Sequence, residues 1–367
     1  MKHPNQEVRS VGSGARCLGR GFTHVLLSLV MIAAPSVVRA ASLPPRHPPL
    51  VDEATVEAIE KGMKYLLSRQ SSDGSFREAG GMGSYPVAMS ALAGLALMAS
   101  GSNSTQGPYA PQVRKTLTYV VRSSQRNGLI CRPGEEESRS MYGHGFSMLL
   151  LGEALGTEED PERMEQIRFA LQQGVQLIAK SQSRLGGWLY TPDMNGDEGS
   201  VTITQVQAMR SARNAGIAVP KKVIDQAMGY LEKSIQPDGG IAYRVGMTGS
   251  RPPITAAAVM CWFNAGEYDN PLAINALRYC KRTIGFGAGG EGVWGHWFYA
   301  HFYLAQAMYL SGEKDWNEYY PKIRDRLLAT QDSDGSWQGD SVGRIYGTAI
   351  ALVILQLPYN NLPIMQR

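Results

Sequence analysis

Gln70-Ser-Ser-Asp73-Gly74-Ser-Phe76 recurs near the other end of the chain as Gln331-Asp-Ser-Asp334-Gly335-Ser-Trp337. Weaker copies begin at Gln125, Gln182 and Gln236. The spacings between these five Gln residues are 55, 57, 54 and 95. Since the last spacing is about twice one period, a degenerate copy is expected between Tyr279 and Trp294. A fixed period of this length indicates a repeat architecture, and the spacing of the motif predicts six units of about 50 residues.

Each unit contains two helices of different character. Before each Gln, apolar residues such as Val56, Ile59 and Met63 keep helical spacing between charged residues, which predicts one face in water. After each motif, segments such as Pro86–Ala99 and Ile345–Leu357 are apolar on nearly all sides. A helix without a polar face must be buried on most sides. The two types together predict an all-α inner ring wrapped by an outer ring.

The motif itself is typical of a joint between units. Asp-Gly favours a tight turn, the Gln amide can bond open backbone groups, and the aromatic residue can pack across the turn. Glycine also follows five of the apolar helices, where a left-handed conformation would end each helix. These glycines are Gly101, Gly156, Gly216, Gly266 and Gly312.

The first 40 residues have the order of a secretory signal peptide. Basic residues come first, Val25–Ala34 is a short apolar core, and small residues precede a cleavage point after Ala40. We therefore expect a signal peptide over 1–40, a Pro-rich linker over 41–52, and a periplasmic or extracellular location. No later apolar run is long enough to predict a transmembrane span.

Without this leader the chain is neutral. The leader holds five Lys and Arg residues and one acidic residue, so the 36 basic and 32 acidic residues of the whole chain fall to 31 of each. A neutral chain gives no electrostatic reason to expect a nucleic-acid partner. Of the remaining cysteines, Cys261 and Cys280 could form a disulfide, but their apolar surroundings favour buried free thiols.

The repeats resemble the QW-type repeats of the squalene cyclases and the related repeats of the protein prenyltransferase β subunit. The resemblance covers about residues 53–357, and it implies an (α/α)6 toroid with a central cavity, which we extend over residues 53–367. The segment from Trp297 to Gly312 and the ending at Leu357-Pro358-Tyr359 also look like exported bacterial proteins that are defined only by these repeats. An isoprenoid or other apolar ligand is what the resemblance implies for the cavity.

Squalene cyclases protonate their substrate with an Asp-x-Asp-Asp motif at the start of an inner helix. The nearest segment here runs from Asp193 to Glu198, just before the third inner helix, and it departs from that motif. In an enzyme, Asp197 or Glu198 would be the general acid, with Asp193 beside them. Two other interpretations stay open: a helix-capping acidic loop, or the first half of a calcium loop that lacks the later ligands.

Zinc-dependent prenyl transfer is not expected. The related enzymes hold zinc with Asp-x-Cys, which this chain lacks, and with a His whose position here carries Ala300. No other pattern predicts a metal or a cofactor.

Further candidates lie along the inner helices, at whose N-terminal ends helix dipoles favour anionic groups. His144 is expected to be the most exposed of them because glycines flank it. For each His a hydrogen-bonded packing role is the alternative. The candidate ligand-binding residues are His144, Thr202, Trp262, His296, Trp297, Tyr299, His301 and Tyr346.

Three functional classes follow. The first is a cyclase-like enzyme or binder for an isoprenoid or other apolar ligand. The second is a secreted, non-catalytic binding or scaffold toroid that takes a small molecule or a protein. The third is a glycan-active α/α enzyme, which would need paired carboxylates across the cavity. The acidic loop is expected to face that cavity.

Overall fold

The computed structural model describes residues 47–80, 83–287 and 295–366. The predicted signal peptide, the first part of the predicted linker and Trp294 of the degenerate repeat lie outside these ranges. The described outer helices are α1 (Glu53–Arg69), α3 (Ala110–Arg122), α5 (Pro161–Ser181), α7 (Lys221–Lys233), α9 (Pro271–Thr283) and α11 (Glu313–Thr330). The described inner helices are α2 (Pro86–Ala99), α4 (Ser140–Leu155), α6 (Gly199–Asn214), α8 (Pro252–Asn264), α10 (Trp297–Ser311) and α12 (Arg344–Gln356).

The inner helices form a closed ring. Each packs against the next from α2 to α12, and α12 returns to pack against α2. Outer helices pack mainly against the inner helix that precedes them in the chain, from α3 on α2 to α11 on α10, and α1 packs against α12 across the junction of first and last units. The predicted (α/α)6 toroid is therefore confirmed. The only described strands are the two-residue pair β1 (Ala79–Gly80) and β2 (Gly83–Ser84), which are antiparallel.

Small residues let the inner helices approach closely. A methyl group at Gly145 of α4 would lie 2.4 Å from the Thr204 side chain of α6, and one at Gly152 would lie 2.2 Å from Ser211 Oγ. Every residue of α2 and of α8 is buried, as their lack of charge predicts. No described helix is long and apolar enough to cross a membrane.

Three of the five motif Gln side chains join consecutive outer helices. Gln70 Nε2 donates to a carbonyl of α3 at 3.0 Å, Gln182 Nε2 to one of α7 at 2.9 Å, and Gln331 Nε2 to Ala58 O of α1 at 2.9 Å. Each of the three also donates to the carbonyl of its own turn glycine. The Gln331 bond links residues 273 positions apart and so closes the outer ring.

A second recurring bond joins each turn to its inner helix. The backbone N–H at the aromatic position donates to a side chain near the start of the next inner helix, over 2.9 to 3.1 Å. The acceptors in the described units are Ser90, His144, Thr202, Thr255 and Thr348. The motif thus binds both layers, which confirms its predicted role as a joint.

The glycines that follow the inner helices behave as predicted with one exception. Gly101, Gly216, Gly266 and Gly312 have φ between 82° and 120°, in the region that favours glycine. For Gly156 the prediction was wrong: its φ is −69°, and the chain continues through an ordinary right-handed turn into Thr157.

The C-terminal ends of the inner helices are covered by the end of the chain. Two 3₁₀ turns, Leu357–Tyr359 and Pro363–Met365, lie there. Asn361 Nδ2 donates to Ala99 O at 2.9 Å, and Ile364 N donates to the buried Glu153 carboxylate at 2.9 Å. Because Ile364 and Met365 are also buried, this end of the ring is sealed.

The described cysteines Cys131, Cys261 and Cys280 are free and buried. The two thiols that could have paired, Cys261 and Cys280, lie on α8 and α9. Burial raises the pKa of the Cys131 thiol to about 12, so that side chain stays a neutral hydrophobic group.

We expect Gln331→Met to lower the free energy of unfolding by about 2 kcal/mol, because it removes the donor from two carbonyl groups. Gln236→Met is the matched control, since Gln236 makes no bond to the next outer helix. It should cost less than about 1 kcal/mol. Urea unfolding of both variants measures the difference, and equal losses would contradict the role of Gln331 in ring closure.

Candidate functional site

The open face of the ring is formed by the N-terminal ends of the inner helices, and we call it the mouth. Carboxylates from neighbouring loops cap several of these ends: Glu136 caps α2, Asp340 caps α10 and Glu78 caps α12. Their distances to backbone nitrogens are 2.7 to 3.3 Å. Each belongs to the unit that follows the helix it caps. At these three helix ends the helix dipole therefore meets a carboxyl group of the protein itself.

Burial changes the ionisation of two of these caps. It raises the pKa of Glu136 to about 7 and that of Asp340 to about 6, although backbone N–H groups at the helix ends oppose the shift. The sequence did not reveal these caps. Glu136 and Asp340 belong to no recurring motif, and only the ring brings each against a helix of another unit.

Glu198 caps its own helix, α6. Its carboxylate accepts from Val201 N at 2.6 Å, from Ser200 N at 2.9 Å and from Ser200 Oγ at 2.8 Å. The side chain is fully buried, and burial raises its pKa. The helix-capping interpretation of the acidic loop is thus confirmed for this residue.

The other two acidic residues of the loop have separate partners. Asp197 is buried and accepts from Ser183 Oγ of the third joint at 2.7 Å, on the side of the outer layer. Asp193 is partly exposed and accepts from Thr191 Oγ1 at 2.6 Å and from Asn195 N at 3.0 Å. Of the three predicted catalytic residues, only Glu198 caps an inner helix, and the expectation that the acidic loop faces the cavity stays a prediction.

Tyrosines surround Glu198, and we call Tyr142, Tyr190, Tyr243 and Tyr299 the tyrosine cluster. The Tyr142 hydroxyl donates to Ser200 Oγ at 2.6 Å, since Ser200 gives its own proton to Glu198. The Tyr299 hydroxyl donates to Ser200 O at 3.3 Å. Tyr190 and Tyr243 are joined through their hydroxyl groups. Burial raises the pKa of Tyr142 and of Tyr299, so both remain neutral donors.

Three predicted ligand-binding residues lie between the two layers instead. His144 Nδ1 and Thr202 Oγ1 accept the recurring backbone bond of their joints. In the degenerate unit, His301 bonds Gly285 O at 3.2 Å and the Tyr319 hydroxyl of α11 at 2.8 Å. The expectation that His144 is exposed was wrong, because the side chain is fully buried. Burial lowers the pKa of His144 and of His301 to about 4.

The remaining candidates are divided among several places. Trp262 is fully buried within α8. Trp297 packs against His301 with ring centres 4.3 Å apart and the rings tilted by 45°, and Tyr346 is buried with its ring 6.5 Å from Phe298. His296 is exposed at the mouth, where burial of part of the ring and nearby Arg139 lower its pKa.

The centre of the ring is filled at the level of α4, α6 and α10. Phe146 of α4 meets Phe302 of α10, on the opposite side of the ring, edge to face with centres 6.3 Å apart. Gln207 Nε2 of α6 donates to Gln306 Oε1 of α10 at 3.1 Å. All four side chains are buried. The cavity implied by the resemblance is therefore occupied here by side chains that meet across its diameter.

Two neighbouring loops extend from the mouth. They run over residues 188–198 and 242–250, and a bridge closes each at its base. Gly199 N donates to Tyr243 O at 2.9 Å, which holds the two loops together. Their exposed tips carry Met194, 56% exposed, and Met247, 44% exposed. We call Tyr190, Met194, Tyr243, Arg244 and Met247 the mouth patch.

No group of three or more His, Cys, Asp or Glu side chains in the described ranges is arranged to hold a metal ion. Asp193 and Asp197, the two aspartates of the calcium-loop interpretation, have the separate protein partners given above.

No protein-family model and no curated protein matches the sequence. Solved structures do match. A glycosidase in complex with glucose is 10% identical with a TM-score of 0.61, covering 85% of this chain and 100% of that one. Type II terpene cyclase MstE from Scytonema is 14% identical with a TM-score of 0.57, covering 84% and 99%. A protein from Actinoplanes is 16% identical with a TM-score of 0.58, covering 84% and 99%.

The chain shares the toroid fold of these proteins. That confirms the predicted likeness to terpene cyclase toroids at the level of fold. At these identities the likeness concerns the fold alone, and it holds for a cyclase and for a glycosidase alike. The exported subgroup stays a prediction.

We expect the free energy of unfolding to fall as the pH rises from about 4.5 to about 7, in part because of Glu136. The folded protein holds this proton more tightly than the unfolded chain, so deprotonation favours unfolding. Glu136→Gln should reduce the change in the free energy of unfolding over this pH range by up to about 3 kcal/mol.

Glu137→Gln is the control, because Glu137 is the exposed neighbour of Glu136 and carries the same charge. Urea unfolding at a series of pH values measures both variants. An unchanged slope in Glu136→Gln would contradict the buried cap.

Proposed function

We propose that this protein is an exported, non-catalytic binding toroid that recognises a protein partner with its mouth patch. Export rests on the predicted signal peptide, and the neutral mature chain favours a partner other than nucleic acid. The observation that carries the proposal is the contact of Phe146 with Phe302 across the ring, since it leaves surfaces rather than a central cavity for ligands.

The state of Glu198 also favours binding over catalysis. A general acid must carry a proton and present it to a substrate. Glu198 instead directs its carboxylate to two backbone amides and a hydroxyl at the start of α6, and its side chain is fully buried, so it presents no proton to a substrate even though burial raises its pKa. Its role in capping α6 leaves no oxygen free towards a ligand.

The mouth patch has the composition of a protein-recognition surface. Tyrosine, methionine and arginine are enriched in protein interfaces, and methionine adapts its shape to a partner. Arg139 lies over the Tyr190 ring at 5.1 Å and Arg244 over the Tyr243 ring at 5.4 Å. Arg139 thus lies against the loop that carries Met194, and Arg244 belongs to the loop that carries Met247, which favours a partner segment that is both apolar and acidic.

We expect a photo-crosslinking amino acid at position 194 or 247 to give one discrete protein adduct in the native host. The same amino acid at Phe169, which is 60% exposed on outer helix α5, is the matched control and should not give that adduct. Adding Arg244→Glu should reduce the adduct about tenfold, because it reverses the charge beside the patch. Denaturing gels and mass spectrometry measure the adduct.

Equal labelling from position 169, or no protein adduct from either loop, would rule out the mouth patch as a protein-binding surface. An adduct that Arg244→Glu leaves unchanged would remove the electrostatic part of the proposal.

A cyclase-like enzyme that acts on an isoprenoid or other apolar ligand is the second candidate. Burial raises the pKa of Glu198, and the neutral hydroxyl of Tyr142 lies beside it, which is the acid–base environment such an enzyme needs. MstE, which shares the fold, has been solved in complex with geranylgeranyl dihydroxybenzoate as its substrate. The glycan-active alternative is weaker, because Glu78, Glu136 and Asp340 all cap helices rather than face one another across an open cleft.

Incubation of the purified protein with squalene, prenyl alcohols and geranylgeranyl dihydroxybenzoate tests this candidate. We expect all three to be recovered unchanged when the extracts are analysed by mass spectrometry. A cyclised product that disappears in Glu198→Gln, a variant that keeps the size of the capping side chain, would establish the enzyme and contradict the binding toroid.

A further inference from the structure

The fourth joint of the ring is looser than the other described joints. At Gly74, Gly128, Gly186 and Gly335 a methyl group would lie 2.2 to 2.4 Å from a carbonyl oxygen of the next outer helix. At Gly239 the corresponding distance, to Asn275 O of α9, is 3.1 Å. The turn of the fourth joint therefore stands farther from its neighbouring outer helix than the same turn elsewhere.

The Gln of this joint also lacks the bond that closes others. Gln236 Nε2 lies 3.4 Å from Ser234 O and 3.5 Å from Ile235 O, both in its own turn, and it makes no bond to α9. Gln125 and Gln236 each stand three residues before their turn glycine, whereas Gln182 and Gln331 stand four residues before theirs. Gln125 Nε2 also bonds within its own joint, at 3.4 Å from Cys131 O, so the fourth joint differs from the second in the wider contact of its turn glycine.

A cleft of about 310 Å³ lies where this contact is missing, and we call it the joint-4 cleft. Its walls combine apolar groups, Ile235 and Leu272, with Gln236, Asn275, Asp238 and two arginines of α9. The Asp238 carboxylate is engaged within its own joint, where it accepts from Gly240 N at 3.0 Å and from Ser250 Oγ at 2.6 Å. Its volume is within the range of small-molecule sites. The wide contact at Gly239 sets the fourth joint apart from the other described joints, and such departures are expected at functional sites rather than in the scaffold.

The two arginines, Arg278 and Arg282, are one helical turn apart and lie on the same face of α9. Within the described residues neither forms an ion pair with a carboxylate. Arg278 Nη1 donates to Asn275 Oδ1 at 2.7 Å, and Arg282 Nη2 donates to Asp238 O at 3.2 Å. Each guanidinium has further N–H donors, and their planar arrangement suits the two oxygens of a carboxylate.

We propose that the joint-4 cleft binds a small organic carboxylate, with its carboxylate between Arg278 and Arg282 and its apolar body against Ile235 and Leu272. The Gln236 amide, which does not make the ring contact of Gln70, Gln182 and Gln331, supplies an additional donor. The site lies in the joint between units and is separate from the mouth patch.

Hexanoate is the probe, because it joins a carboxylate to a short apolar chain. In a calorimetric titration of the mature protein we expect R278Q/R282Q to weaken hexanoate binding at least tenfold. The double variant R126Q/R184Q is the matched control: it removes two exposed arginines from the turns of the second and third joints, which are closed. It should bind hexanoate as the wild type does.

Inorganic phosphate and hexanol separate the two parts of the site. Both should bind at least tenfold more weakly than hexanoate, because phosphate has no apolar body and hexanol has no charge. Phosphate binding as tight as hexanoate binding would overturn the assignment to an organic carboxylate. Absence of hexanoate binding to the wild type, or equal losses in the two double variants, would overturn the site itself.

Discussion

The bond from Gln331 to the carbonyl of Ala58 is the interaction on which the closed ring depends. It connects the last outer helix to the first, and equivalent bonds from Gln70 and Gln182 connect outer helices along the chain. One amide thus satisfies two carbonyl groups, one in its own turn and one in the next unit. Since unpaired buried carbonyls are costly, each such Gln fixes the distance between neighbouring units. A repeat protein with open ends would need capping units, and closure removes that need.

Closure has consequences at the mouth. Once the last unit lies beside the first, Glu78 of unit one can cap α12 of unit six, just as Glu136 and Asp340 cap helices of preceding units. These carboxylates match the helix dipoles, so the mouth offers tyrosines, methionines and arginines to a partner rather than free helix ends. The cost is that two buried carboxyls, Glu136 and Asp340, have raised pKa values, which links stability of the ring to pH.

The side chains inside the ring show that a shared fold need not bring shared chemistry. A cyclase and a glycosidase have the same toroid, yet here α10 contributes Phe302 and Gln306, which reach α4 and α6 across the ring. Toroid architecture is set by the joints and by the apolar inner helices, while the contents of the ring are set by a few side chains that face its centre. The proposed binding functions therefore rest on exposed groups, namely the mouth patch and the joint-4 cleft, and not on the fold.

The sequence alone determined the number of units, the two helix types and the role of the motif, because those features repeat and each copy supports the others. It also offered capping as one interpretation of the acidic loop that contains Glu198, since capping is local to the start of one helix. It did not reveal Glu136 or Asp340, and it presented His144, Thr202 and His301 as ligand-binding candidates. Only the tertiary structure decided these cases, because they depend on contacts between different units or different layers of the ring. A one-dimensional repeat fixes what each unit looks like, whereas closure in three dimensions decides which side chains meet.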